Sequence, residues 1–302
     1  MEQTKIEKAA LKAKSEEMGI PFSAMLSGYV SEAFRYLLSE SEFADFLWIK
    51  NPQIYEKEQW GSGSAHLMEF TYLADQAAKK SAKPVPGQKL SVMMGYVMIA
   101  SILKKEKVPE IKWKGRAAMK DNVLELVLTG EFEEMTVPLT VQVTQMEQAD
   151  IVPKKRTAAR LFGDTEFTYL EYPYENILAE NLILILKNME LIPDMGAYEA
   201  VFHILKQEPV NGRHIREMLT DACGQGAIEP KEERVAEILS YRDYPYMKKR
   251  WEKYLRKQKK TAPQWEEIMD ILEVFLTDIW NSICRDEVFF GDWMPDLGRF
   301  LD

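Results

Sequence analysis

Three groups of residues in this chain have types and spacing that could do chemistry. The first is the run MKKRWEKYLRKQKK, residues 247–260, the densest basic stretch of the sequence. As a helix, its cations Lys248, Lys249, Arg250, Lys253, Arg256 and Lys257 would make a basic face suited to phosphate backbones, with Trp251 and Tyr254 interleaved. The same periodicity also fits a solvated helix whose aromatics face the core. The second is Glu69, a carboxylate inside an expected strand over 66–73; taken alone, it reads as an ordinary surface carboxylate of a strand. The third is Cys223 and Cys284 with His66, His203 and His214. These cannot build a Cys-rich metal site at any recognised spacing, so the thiols read as isolated core residues and His203 and His214 as packing or capping groups. The loop Gly61-Ser62-Gly63-Ser64 lacks the Gly-Lys-Ser/Thr ending of a phosphate-cradling loop.

The element expected to organise the chain lies in 171–205. Leu178, Leu182, Ile185, Leu186 and Met189 recur at helical spacing, Ile183 and Leu184 widen the apolar face, and Glu180, Asn181, Lys187 and Asn188 are the polar remainder. Pro193 is expected to stop this helix, with a second amphipathic helix from about 197 to 205. Upstream, a charged amphipathic helix is followed by the turn Ile20-Pro21-Phe22 and a helix carrying Leu26, Tyr29, Val30, Ala33, Phe34, Leu37 and Leu38. A short strand is expected at 46–49. A turn-rich connection over 79–89 leads to a helix ending near 106, and then come strands at 111–114, 123–128 and 135–144. Downstream, helices are expected over 212–223, around Met247 to Leu255, and from Trp265 to Ile283. In the tail, Phe289, Phe290, Trp293, Met294, Leu297 and Phe300 are dense for a terminal segment. They are expected to dock onto the chain and cover a substrate entrance, or to bind a partner.

With 302 residues, 46% hydrophobic and 29% charged, the composition is that of a globular protein with an ample core. No apolar run approaches the roughly 20 residues that span a bilayer. The charged N-terminus lacks an apolar h-region, so the expected setting is cytoplasmic, without membrane partners. A net charge of −9 argues against wholesale electrostatic capture of nucleic acid and leaves local basic patches as the route.

The sequence resembles the AbiEii/AbiGii-type nucleotidyltransferase toxin family over roughly residues 5–283. The resemblance rests on Tyr36 to Asp45 leading into Phe46-Leu47-Trp48-Ile49-Lys50, on a Tyr-Pro turn, Glu175 and Ala179-Glu180-Asn181, on Met195 to Ala200, and on the Trp-rich helices near the end. It implies an α+β fold: a nucleotidyltransferase-like mixed sheet with flanking helices over 1–175 and a helical domain with an aromatic tail over 176–302. It also implies Mg and an NTP as cofactors of an active member. Such members hold the metals with an Asp-x-Asp pair on one strand and a third carboxylate on a neighbouring strand.

Here the pair falls on His66 to Phe70, where Glu69 is the matched carboxylate, and the third position falls on Gln142. Lys50 keeps its place, the family's Gly-Gly is replaced by Asn51-Pro52, and the lysine after Ala-Glu is Asn181. The resemblance thus implies a defence or toxin–antitoxin protein with a degenerate site that acts by binding, with an antitoxin-like protein or an RNA held by the basic helix as partners. The alternative is an active Mg-dependent transferase modifying RNA, tRNA included, or protein. In that case Glu69 is the metal ligand and Asp75, Glu56, Glu58 or Asp194 supplies the missing charge.

Overall fold

The computed structural model describes residues 6–50, 60, 67–73, 90–103, 107–146, 151–258, 260, 261 and 263–301. The chain divides into two units, Met1–Pro173 and Tyr174–Asp302.

In the first unit, the alternation expected at 123–128 runs on into a ten-residue strand, and its neighbours lengthen with it. The strands are β1 Leu47–Ile49, β2 Leu67–Leu73, β3 Ile111–Lys120, β4 Val123–Phe132, β5 Met135–Met146, β6 Lys154–Ala159 and β7 Glu166–Glu171. They form one mixed sheet in the order β3-β4-β5-β2-β1-β7-β6. β2 lies parallel to β5 and β1 parallel to β7, while the remaining neighbours are antiparallel. The β3–β4 connection is the two-residue turn Asp121-Asn122 with positive φ at both positions, as a primed hairpin turn requires.

Strand periodicity splits the sheet into two faces. Met68 and Phe70 of β2, Val141 and Val143 of β5, and Leu124, Leu126 and Leu128 of β4 point to one side and are buried. That side packs against α1 (Lys8–Met18), α2 (Phe22–Ser39) and α3 (Val92–Ile102) in one apolar cluster. α1 stops at Gly19, which takes the left-handed conformation of a C-cap. α3 is shorter than the sequence suggests, ending at Ile102, where the cap backbone turns away. α2 also carries a buried ionic group: both oxygens of Glu32 accept the Leu161 N–H, at 3.0 and 2.8 Å, and Arg160 stands 3.5 Å away. This ties the β6–β7 hairpin to the helix layer.

The second unit is helical: α4 (Tyr174–Asn188), α5 (Gly196–Gln207), α6 (Gly212–Gly224), α7 (Glu232–Ser240), α8 (Pro245–Gln258) and α9 (Trp265–Cys284). α4 buries Leu178, Leu182, Ile185 and Leu186. It ends at Asn188, five residues before Pro193. Met189 there takes a left-handed φ of 52°, and the exposed carbonyls are taken up by arginines. Arg234 donates to Leu186 O at 2.7 Å, and Arg250 donates to Glu190 O at 2.6 Å and to Ile192 O. A 3₁₀ turn, Met189–Leu191, carries the chain on from α4 and stops two residues before Pro193.

Four buried tryptophans each donate their ring N–H to a backbone carbonyl: Trp251 to Pro263, Trp265 to Tyr241, Trp280 to Lys231 and Trp293 to Leu205, at 2.7–2.9 Å. Of the aromatic tail, Trp293, Phe289 and Phe300 dock on their own unit, whereas Phe290 and Leu297 stay exposed. Strands β8 (Val210–Asn211), β9 (Asp292–Met294) and β10 (Arg299–Leu301) form a small antiparallel sheet. Trp293 is fully buried among Phe275 and Phe300. Gly212 and Gly291 meet so closely that a Cβ at Gly212 would stand 2.3 Å from Gly291 O. Among the described residues, no helix is long and apolar enough to cross a membrane.

Candidate functional site

The face of the sheet turned away from the helices carries its polar residues in rows. Glu69 on β2 is paired directly with Gln142 on β5, and Gln142 with Glu125 on β4. Paired residues point to the same side, so these three half-buried side chains form one row across three strands. With strands about 4.8 Å apart, the two carboxylates stand roughly 10 Å apart with the carboxamide between them. Gln142 Nε2 donates to Glu125 Oε1 at 3.0 Å. The donor must be the amide, since a carboxylate only accepts. The row continues onto the end of β1, where Lys50 N–H donates to Glu69 O at 2.7 Å and the Lys50 ammonium sits 4.8 Å above the Tyr172 ring.

One step along the strands, Val123 and Thr144 share the face of Glu125 and Gln142. They also line a cleft of about 520 Å³, with Leu90, Met119, Asp121, Asn122 and Gln145 as the other walls. Gln145 accepts the Leu90 N–H at 2.7 Å, which fixes the entry into α3. The cleft adjoins the carboxylate row at the strand ends, through Val123 and Thr144, while Glu69, Gln142 and Glu125 themselves lie outside its walls.

The structure brings together Lys50, Glu69 and Gln142, three positions far apart in sequence. It adds Glu125, which the sequence reading did not single out, although its place on the polar side of an alternating strand was the available signal. Asn51, Glu56, Glu58, His66 and Asp75 lie outside the described residues. Glu180 and Asn181 belong to the helical unit, on α4. Glu180 is exposed, and the Asn181 amide donates back to Ile177 O at 2.7 Å, a local helix bond. Asp194 caps the start of α5 by accepting Gly196 N–H at 2.9 Å.

No protein-family model matches the sequence, and no curated protein does. Two solved structures from Helicobacter pylori are similar over most of their length. One is JHP933, with 10% identity and a TM-score of 0.43, covering 88% of this chain and 94% of that one. The other is a protein assigned as a nucleotidyltransferase, with 10% identity and a TM-score of 0.44, covering 88% and 97%. Similarity of that extent says nothing about activity.

The chemistry of the row follows from its donors. A hard dication of the kind the resemblance implies is held by clustered carboxylate oxygens, and the central place here belongs to a neutral amide already committed to Glu125. Two carboxylates separated by that amide do not fit a two-metal transfer centre. Among the described residues, no group of three His, Cys, Asp or Glu is placed to hold a metal ion.

The basic helix divides into two sets. Lys248 is ion-paired with Glu266 at 2.6 Å, and Arg250 is spent on the carbonyls of Glu190 and Ile192. Trp251 and Tyr254 stack on each other at 5.2 Å on the inner side, so they are core aromatics rather than stacking platforms. Lys249, Lys253, Arg256 and Lys257 are exposed.

The helical unit has its own buried carboxylate, Glu199. It accepts from the Tyr254 hydroxyl at 2.6 Å and from Lys260 at 2.7 Å, with His203 at 3.6 Å. Burial works to raise its pKa, but the bonds from His203, Lys260 and Tyr254 outweigh it and hold the carboxyl at about 2. In Tyr254 the hydroxyl is pushed up, by burial and by its bond to Glu199. His214 starts α6, its N–H bonded to Asn211 Oδ1 at 2.8 Å, a capping geometry. Cys223 and Cys284 are half-buried free thiols, both pushed up by burial.

Proposed function

We propose that this chain is a nucleotidyltransferase-like scaffold of the AbiEii/AbiGii type whose transfer site has been converted to a binding face. The observation that carries the reading is the cross-strand pair Glu69–Gln142 on adjacent parallel strands. The two positions that the resemblance assigns to metal-holding carboxylates stand side by side, and one of them is an amide donating to Glu125. A neutral side chain at that place weakens the hold on a dication, and the row's second carboxylate, Glu125, stands beyond it and accepts from the Gln142 amide. What remains is a row of two carboxylates around an amide, beside a cleft, and such a face is suited to hydrogen-bonded recognition without transfer.

The setting that goes with this reading is a bacterial defence or toxin–antitoxin system, in the cytoplasm, with a protein partner as the natural occupant. The experiment is direct: purified protein is incubated with each α-labelled NTP, Mg²⁺, and total tRNA or lysate protein, beside Glu69→Ala. The proposal expects no label transferred above the Glu69→Ala background. Label on RNA or protein that disappears in Glu69→Ala would restore the active transferase.

A further inference from the structure

The solvent face of α8 combines charge and aromatic surface in a way the transfer site does not account for. At about 100° per residue, Tyr246, Lys249, Lys253, Arg256 and Lys257 fall within an arc of about 100° on one side of the helix. Met247, Trp251 and Leu255 fall on the opposite side and are buried. Tyr246 to Lys257 spans roughly 16 Å along the axis. No carboxylate stands within ion-pairing distance of these four cations among the described residues, whereas Lys248 and Lys260 are neutralised by Glu266 and Glu199. Glu252, exposed at the margin of the arc, is the one acid of α8 on this side. In a chain of net charge −9, four cations in one row without an ion-pair partner among the described residues are a local reversal of sign.

The aromatic end of the row is pre-arranged. Tyr244 and Tyr246 are 44% and 47% exposed although both are large and partly apolar. Their rings lie 5.8 Å apart, and Tyr244 leans in turn on Tyr241 at 6.1 Å. The Arg250 guanidinium, fixed by the carbonyls of Glu190 and Ile192, lies 5.7 Å over the Tyr246 ring. Exposed rings held by neighbours, at the head of a cationic track, are the two components of a single-stranded nucleic-acid site: π-faces for bases and cations for the backbone.

We propose that α8 binds single-stranded nucleic acid, with Tyr244 and Tyr246 stacking on bases and Lys249, Lys253, Arg256 and Lys257 following the phosphates. The occupant follows from charge and shape together. A duplex would satisfy the cations and leave the tyrosines unused, and an acidic protein would not need flat exposed rings.

The test is fluorescence anisotropy with a labelled single-stranded RNA of about 12 nucleotides, within the usual site sizes, against a duplex of the same sequence and anionic phospholipid vesicles. The triple variant Lys249→Gln/Lys253→Gln/Lys257→Gln is expected to bind at least ~10-fold more weakly at low salt. The slope of log affinity against log salt should fall by about 0.7 per cation removed. Tyr246→Ala is expected to weaken binding about 5- to 10-fold, and Tyr246→Trp to retain it. These positions are exposed, so thermal melts identical to the unaltered protein certify that the fold is intact. Binding that ignores both the lysines and Tyr246 overturns the proposal. Equal or tighter binding to duplex or to vesicles, with no effect of Tyr246→Ala, overturns it in favour of a general anionic surface.

Discussion

Two acidic regions of this molecule treat their carboxylates in opposite ways. In the helical unit Glu199 is buried and answered by a tyrosine hydroxyl and a lysine, with a histidine close by, so its charge is spent on holding α5 to α8. On the open sheet face, Glu69 and Glu125 flank Gln142 in a half-buried row beside a cleft, and the Gln142 amide donates to Glu125. A buried charge persists only if it is paired, so the first arrangement is structural by necessity. The second costs little to leave open to water, which is the condition for a surface that binds.

The comparison can be tested from its strongest side downward. Trp293→Ala removes the tail's anchor from a fully buried site and its bond to Leu205 O. It should cost about 3–5 kcal/mol in chemical denaturation. Glu199→Gln should cost about 2–3 kcal/mol, because Lys260 and the Tyr254 hydroxyl lose a charged acceptor.

The same carboxylate sets an acid limit. Its folded pKa of about 2 lies below the ordinary 4.5. Its contribution, about 2 kcal/mol after screening by solvent, is therefore present above pH 4.5 and is lost as pH falls toward 2. Glu199→Gln should flatten stability across that window. A variant with an unchanged acid profile would remove Glu199 from its structural role.

On the sheet face, effects should be smaller. Gln142→Glu replaces the amide donor by a third like charge in the row and should cost about 1 kcal/mol, an amount that millimolar Mg²⁺ should reduce; thermal shift with and without the ion reads this. Glu69→Ala should change stability by no more than about 0.5 kcal/mol. The smallest change comes from Tyr198, whose buried hydroxyl has no hydrogen-bond partner among the described residues and whose ionisation burial suppresses. Tyr198→Phe should be neutral or gain a few tenths of a kcal/mol, in a range where the differential melt is the suitable measurement.

Much of this architecture was legible in the sequence because local periodicity carries it. α2, β4, β5 and α9 announce themselves by alternating or helical runs of apolar side chains, and the density of aromatics in the tail forecast its docking. β6 did not, because Lys154 to Ala159 is a polar edge strand with no buried alternation to read. α7 did not, because only Val235 and Ile238 of its nine residues are buried. α4 ends at Asn188 and a 3₁₀ turn, Met189–Leu191, fills the space before Pro193, a change of helix type that apolar periodicity does not announce.

The candidate site was half legible. Glu69 and Gln142 came from the resemblance, but Glu125 joins them through the register of β4 on β5, a long-range fact that no window of sequence contains. The basic helix was visible as charge, while the division between spent and exposed cations depends on partners 18 and more residues away.

The central claim is that the Glu69–Gln142–Glu125 row binds without metal-assisted transfer. The most direct measurement is calorimetric titration of the purified chain with each NTP, with and without Mg²⁺, beside Glu69→Ala. The account predicts no Mg²⁺-dependent heat for the unaltered protein and the same trace for the variant. Micromolar, Mg²⁺-dependent binding that vanishes in Glu69→Ala would contradict it and make Glu69 a metal ligand of a working transferase.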